Sequence, residues 1–297
     1  MASAAAPQSS LDKLAAEDRT ATDRAASEPQ LVAARRAMID SQLRPSGISE
    51  ASLLEAMGRL PREDFVAAGQ RAIAYMDRAL PLGGGRMLSA PLTQARLLQE
   101  ARPRRSDRAL LIGGGSGYLA ALLAPQVASL TVVEPERRLR EMAPPEKVRA
   151  EKVMAEMATA QTVTTETGSA EAASAGMMAP RAVHWQEAPL AEGWAAGAPY
   201  DLIVIDGAAE CIPDAIAIQL TPDGRLVTGV VQRGVTRLAI GRGIGPGVEH
   251  GVAQGSGQAE GAIPGRAGGT GRLALQPLAE IGFPVLEAFA APRKWSF

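Results

Sequence analysis

Three glycines and one acid hold the clearest chemical pattern in this chain. In Ala109-Leu-Leu-Ile-Gly-Gly-Gly-Ser-Gly-Tyr118 an apolar run enters a turn that contains Gly113, Gly115 and Gly117. Glycine lets a backbone turn tightly and lets a ligand approach with no Cβ in the way. Glu134 closes the following apolar run, Leu130 to Val133. A carboxylate at the end of the second strand of such a unit is placed to accept hydrogen bonds from the two hydroxyls of a ribose. Loop and acid together point to an adenosine-containing cofactor. The glycines fall as G-x-G-x-G, so the third comes one residue early for the G-x-G-x-x-G turn that cradles a dinucleotide pyrophosphate.

Other chemistries lack their residues. The sequence has no G-x-x-x-x-G-K-[ST] phosphate loop, no C-x-x-C, and only two histidines, His184 and His250, in unrelated contexts. Phosphoryl transfer of the P-loop kind and a Cys/His metal site are therefore disfavoured, and no metal is expected. With 31 Lys and Arg against 32 Asp and Glu, the net charge of -1 argues against a nucleic-acid or membrane-surface partner. The single Cys211 excludes an intramolecular disulfide and fits a reducing compartment. No stretch approaches the roughly 20 consecutive apolar residues of a membrane span. The start lacks a basic segment followed by an apolar one, so a cytoplasmic location is expected.

The elements that must hold the loop and the acid alternate in period. Apolar runs at Ala109 to Ile112, Leu130 to Val133, Leu202 to Ile205, Arg225 to Val231 and Val235 to Ile240 read as strands. Tyr118 to Ala124 and Ala215 to Leu220 read as helices between them. This alternation predicts an α/β fold with a doubly wound, mostly parallel sheet whose ligand sits at the carboxyl ends of the strands. Ahead of it, Leu31 to Leu43 and Ser49 to Leu60 are spaced as amphipathic helices, the second with Ser49 as its N-cap candidate. Residues 1–30 read as a mobile tail, and residues 31–297 as a single domain. Small-residue insertions fall at about 162–178 and 241–271 of that domain, the latter glycine-rich.

The G-x-G-x-G loop after a strand, with an acid closing the next, resembles the class I S-adenosylmethionine-dependent methyltransferases. Further stretches, in order, are similar to one family within that class, the protein-L-isoaspartate O-methyltransferases. They are Met38-Ile-Asp-Ser-Gln-Leu-Arg44, Pro61-Arg-Glu-Asp-Phe-Val66, Ala74-Tyr-Met-Asp-Arg-Ala-Leu-Pro-Leu-Gly83, Leu88-Ser-Ala-Pro91, Ala198-Pro-Tyr-Asp201 and Gln219-Leu-Thr-Pro-Asp-Gly-Arg-Leu-Val227. The resemblance implies methyl transfer from S-adenosyl-L-methionine to the α-carboxylate of L-isoaspartyl residues in damaged proteins or peptides, which initiates repair, by a protein expected to be a monomer.

Carried over position by position, the resemblance implies that Gly113, Gly115 and Gly117 pass under the cofactor's methionine portion and that Glu134 holds its ribose. It also implies that Glu187 stands where the family's acid meets the adenine amino group. Ser89 matches the family's serine near the transferred methyl, while Asp77 and Pro91 match positions beside the substrate strand. Each has a plainer reading as well: Ser89 as a cap of the following helix, Asp77 as a turn residue, Glu187 as surface. The chain departs from the family where an acid usually precedes the first glycine by two residues, here Leu111. It departs again where Gln-Thr-Ile-Ser becomes Arg86-Met87-Leu88-Ser89. These departures leave open a second reading, a degenerate member of the family that binds the cofactor weakly or not at all and serves as an interaction module.

Overall fold

The computed structural model describes residues 27–142, 183–243 and 273–291. The expected tail up to residue 26, the 162–178 insertion, most of 241–271 and His250 lie outside the described residues.

The chain opens with helix α1 (Glu28–Met38), prolonged by one π turn over Ile39–Leu43, and helix α2 (Ala51–Arg59). Leu31 and Met38 of the first, and Leu53, Leu54 and Met57 of the second, are buried at helical spacing. The N-cap of α2 is Glu50, with no side-chain cap, and not Ser49. The Ser49 backbone N–H instead donates to Gln99 Oε1 at 2.9 Å, which spends the residue on docking to the next helix.

A short antiparallel hairpin follows, β1 (Leu80–Gly83) with β2 (Arg86–Leu88), and leads into helix α3 (Pro91–Ala101). The main sheet then builds from β3 (Arg108–Ile112), helix α4 (Tyr118–Leu123), β4 (Ser129–Val133), helix α5 (Arg137–Met142), β5 (Val183–Gln186), β6 (Tyr200–Ala209), helix α6 (Asp214–Ala217), β7 (Leu220–Gln232), β8 (Val235–Gly243) and β9 (Leu273–Glu280). Its seven strands run in the order β5-β4-β3-β6-β7-β8-β9. The pairs from β5 to β7 are parallel, and β8 is antiparallel to both of its neighbours. The expected doubly wound, mostly parallel sheet is present, with its strands longer than the apolar runs alone suggested.

Alternation divides the sheet's side chains between two cores. Ala109 and Leu111 of β3, with Leu202 and Val204 of β6, join the core that includes α1, α2 and α4. Leu110 and Ile112, with Ile203 and Ile205, join a second core on the opposite face, closed by Leu286 and Phe289. Central parallel strands covered on both faces read as continuous apolar runs, which is why these segments are so legible in the sequence.

Candidate functional site

Strand register converts four separate chain segments into one rim. Ile112 at the end of β3 pairs with Val133 of β4 and with Ile205 of β6, and Val133 pairs with Gln186 of β5. The next residue on each strand is therefore Gly113, Glu134, Asp206 or Glu187. The strand order reverses between β3 and β6, so the crevice of the sheet opens between Gly113 and Asp206.

The glycine turn is built as the spacing suggested. Gly113, Gly115 and Gly117 adopt φ of 84°, 53° and 94°, a left-handed backbone that side chains rarely tolerate. Gly114 matters for a different reason: a Cβ there would stand 2.3 Å from Val132 Cγ1 and 2.9 Å from Trp185 Cζ3, so the loop is pressed onto strands β4 and β5.

Glu134 is fully buried. Its Oε2 accepts from the Gly115 backbone N–H at 2.7 Å, which ties the acid to the glycine turn. Its Oε1 accepts from Arg86 Nη1 at 2.8 Å and from the Glu136 backbone N–H at 3.2 Å. Arg86 reaches this point from the hairpin, and its Nη2 lies 3.2 Å from where a Cβ on Gly113 would stand. Its Nε is buried with no hydrogen-bond partner.

Ser89 is buried just ahead of α3, but it does not cap that helix. The N-cap is Ala90, and Ser89 Oγ instead donates to Asp206 Oδ1 at 2.6 Å. Gln94 Nε2 donates to Asp206 Oδ2 at 2.8 Å, and Gln94 Oε1 accepts from Arg62 Nη1 at 2.6 Å. Arg62, fully buried, also donates to the Ser89 and Ala74 carbonyls and stacks 4.8 Å from the Tyr118 ring centroid. Burial pushes the Asp206 carboxyl above the ordinary carboxylate range. The bonds from Ser89 and Gln94 and the charges of Arg62 and Arg86 pull it back only in part.

Two outer residues are less committed. Asp77 is exposed and accepts from the Leu92 backbone N–H at 3.2 Å, so it satisfies a free donor in the first turn of α3, where buried Pro91 takes the N1 position. Glu187 is largely exposed and pairs with Arg140, which also donates to the Glu134 carbonyl.

A model of the family described as protein-L-isoaspartate(D-aspartate) O-methyltransferase matches residues 33–241. A curated protein-L-isoaspartate O-methyltransferase from Methylorubrum populi is 35% identical over 198 residues, 67% of this chain and 80% of that protein. The chain belongs to the protein-L-isoaspartate O-methyltransferase family. The protein-L-isoaspartate O-methyltransferase 2 of Pelobacter propionicus is likewise 35% identical, over 66% of this chain and 75% of its own.

Solved structures agree on the fold. One protein-L-isoaspartate O-methyltransferase aligns with a TM-score of 0.54 at 17% identity, over 85% of this chain and 65% of its own. A Plasmodium falciparum structure, titled a putative protein-L-isoaspartate O-methyltransferase in complex with S-adenosyl-L-homocysteine, aligns with a TM-score of 0.56 at 14% identity, over 86% and 98%.

Set against the isoaspartate methyltransferase pattern, the structure brings Gly113, Gly115, Gly117, Glu134 and Ser89 around one crevice, with Glu187 at its outer end, Pro91 at the start of the helix beside it and Asp77 bonded to that helix's first turn. Two residues escaped the sequence reading. Asp206 follows the apolar run Leu202 to Ile205 just as Glu134 follows Leu130 to Val133, so the rule that found one acid applied equally to the other. Arg86 was noticed for the amide it replaces, whereas its importance lies in the charge it brings against Glu134.

Proposed function

We propose that the protein transfers a methyl group from S-adenosyl-L-methionine to the α-carboxylate of L-isoaspartyl residues in damaged proteins, and so initiates their repair. The observation that carries this reading is the buried Ser89 at the carboxyl rim, bonded to Asp206 across the crevice from the glycine turn, in a chain of this family.

The residues present fit the cofactor. Three left-handed glycines leave a surface without Cβ atoms, Glu134 offers a buried carboxylate to a ribose diol, and the orphaned Arg86 Nε asks for an acceptor. Gly113, Gly115 and Gly117 would underlie the methionine portion, Glu134 the ribose, and Glu187 the adenine end. When bound, S-adenosyl-L-methionine supplies an activated methyl on a sulfonium. The acceptor carboxylate is already ionised at neutral pH, so the protein needs no general base. Its work is alignment and the exclusion of water.

Ser89 orients the acceptor carboxylate by donating its hydroxyl hydrogen. That hydrogen is engaged with Asp206 when Asp206 is ionised, and a second carboxylate at the same rim is repulsive. A neutral Asp206 relieves both conflicts, because it donates its own proton to Ser89 Oγ and releases the serine hydrogen toward substrate. Arg62 and Gln94 fix the position of Asp206 from the buried side. Asp77 and Pro91 set the start of α3 and with it the wall along which an extended substrate passes.

The same reading makes the protein a monomer acting in the cytoplasm on damaged proteins, without nucleic acid or membrane. The net charge of -1 speaks against a nucleic-acid partner; among the described residues no helix is long and apolar enough to cross a membrane.

Incubating the protein with labelled S-adenosyl-L-methionine and an isoaspartyl peptide should yield base-labile methyl ester. No ester above background would sink the proposal. Binding of S-adenosyl-L-homocysteine without turnover would instead favour an interaction module.

A further inference from the structure

Arg86 holds a cation at the rim of the crevice with part of its hydrogen-bonding capacity unused. It begins β2, its side chain is 11% exposed, and among the described residues its ion pair is to the fully buried Glu134. Its Nε is buried and unbonded, a cost that a well-packed structural arginine avoids. Its Nη2 overhangs Gly113, at 3.2 Å from the Cβ position that glycine leaves empty. The other acid within electrostatic reach, Asp206, already has one oxygen bonded to Ser89 and the other to Gln94.

The opposite change stands close by in sequence. Leu111, two residues before Gly113, is fully buried in the apolar core that packs against α1 and α2. The rim beside Gly113 thus has a cation with a spare N–H and no acid at position 111. An α-amino acid has two poles, an ammonium and a carboxylate, and this rim is built for the second.

We infer that Arg86 receives the α-carboxylate of the cofactor's methionine end, exchanging its bond to Glu134 for a forked one to that carboxylate as the ribose hydroxyls take over Glu134. The exchange leaves neither carboxylate without hydrogen-bond donors. Before binding, Arg86 neutralises a buried acid that would otherwise stand alone. After binding, the diol donates to Glu134 and the guanidinium faces the one anionic group the cofactor carries. Guanidinium suits this because its planar donors match a carboxylate two to two. The inference rests on the methyltransferase reading of the same crevice.

Calorimetric titration of the full chain with three ligands tests it: S-adenosyl-L-homocysteine, its decarboxylated analogue, and 5′-methylthioadenosine, which lacks the whole amino-acid end. On the unaltered protein the decarboxylated analogue should bind about 10- to 100-fold more weakly than S-adenosyl-L-homocysteine, the range for losing a charged hydrogen-bonded contact. Equal affinities overturn the inference without any variant. In Arg86→Gln, S-adenosyl-L-homocysteine should weaken by about the same factor while 5′-methylthioadenosine stays within about twofold. A parallel loss of both ligands means that Arg86 only shapes Glu134. Tighter S-adenosyl-L-homocysteine means that Arg86 merely obstructs the ribose site, and either result overturns the assignment. Should the unaltered protein bind none of the three, the methyltransferase reading itself fails, and the assignment with it.

Discussion

Ser89 Oγ and Asp206 Oδ1 lie 2.6 Å apart, joined across 117 residues of sequence. One follows a three-residue hairpin strand and the other lies within the central strand β6, where its register against β7 shifts. Their contact makes the acceptor side of the crevice sensitive to a proton, and the sign of that effect can be worked out. The Asp206 carboxyl is raised, chiefly by burial. Below its pKa it is neutral and leaves the Ser89 hydrogen free for substrate. Above it, Asp206 draws that hydrogen to itself and repels the incoming carboxylate. The substrate's α-carboxyl, with an ordinary pKa of about 3.3–3.7, stays ionised through this window. Thus kcat/KM for an isoaspartyl peptide should fall as pH rises through the Asp206 pKa. Asp206→Asn keeps an acceptor for Ser89 without the charge and should flatten that fall. An unchanged alkaline limb in the variant would disprove the link.

Glu134→Gln keeps an acceptor for the Gly115 N–H but loses its charge. Equilibrium dialysis with labelled S-adenosyl-L-homocysteine should show affinity reduced by about 1.5–3 kcal/mol, roughly 10- to 100-fold. Affinity within twofold of the unaltered protein would remove Glu134 from the cofactor site.

Arg62 is a structural keystone rather than a surface charge. Arg62→Leu leaves the Ala74 and Ser89 carbonyls and Gln94 Oε1 without their buried donor. Burial lowers the pKa of Arg62, whereas its interactions with Tyr118, Asp206 and Tyr75 favour the cation. Denaturant unfolding should show a loss of about 3–5 kcal/mol, the range for removing one member of a buried charged network. A loss below about 1 kcal/mol would mean that water replaces those bonds.

Gly114→Ala tests the fit of the turn. The added methyl would meet Val132 and the Trp185 ring at 2.3 and 2.9 Å, so strand β5 must shift outward. Overpacking of this kind costs about 1–3 kcal/mol. Trp185 fluorescence should move together with the thermal midpoint, and a variant with neither change would contradict the packing.

Glu187 should matter little. Its side chain is 66% exposed, and its pair with Arg140 lies near solvent. Glu187→Ala should alter stability by less than about 1 kcal/mol. Its effect on S-adenosyl-L-homocysteine affinity should stay below about threefold, because a solvated acid gains little from one more donor. A tenfold loss in dialysis would show that Glu187 turns inward around the adenine.

The sheet and the cofactor half of the crevice were legible because their causes are local. A strand covered on both faces must be apolar along its length, and a turn with three left-handed positions must be glycine there. Glu134 could be found from its place at the end of such a run. The acceptor half was harder, since Ser89, Gln94, Arg62 and Asp206 come from four segments that meet only when α3 docks against β6. Ser89 before Ala-Pro has the form of a helix cap, and only the tertiary contact shows that its hydroxyl is spent elsewhere. Ser49 misled differently: the helix begins one residue later, with Glu50 as its N-cap, and the Ser49 backbone N–H bonds Gln99. Leu111 looked like a loss of function in the sequence and is, in the fold, an ordinary core residue.

The sheet also has a second rim, and its use separates length from chemistry. Val183 opens β5 beside Leu130, the second residue of β4, and Gly243 and Leu273 face each other next to the pair Arg242 and Arg225. All three stand at the amino-terminal edge of the parallel strands, opposite Gly113, Glu134 and Asp206. The chain between Met142 and Val183, and between Gly243 and Leu273, therefore rejoins the sheet at the end remote from the crevice. Both connections are thus joined to the sheet at the edge away from the crevice, where lengthening a connection raises its closure cost only slowly.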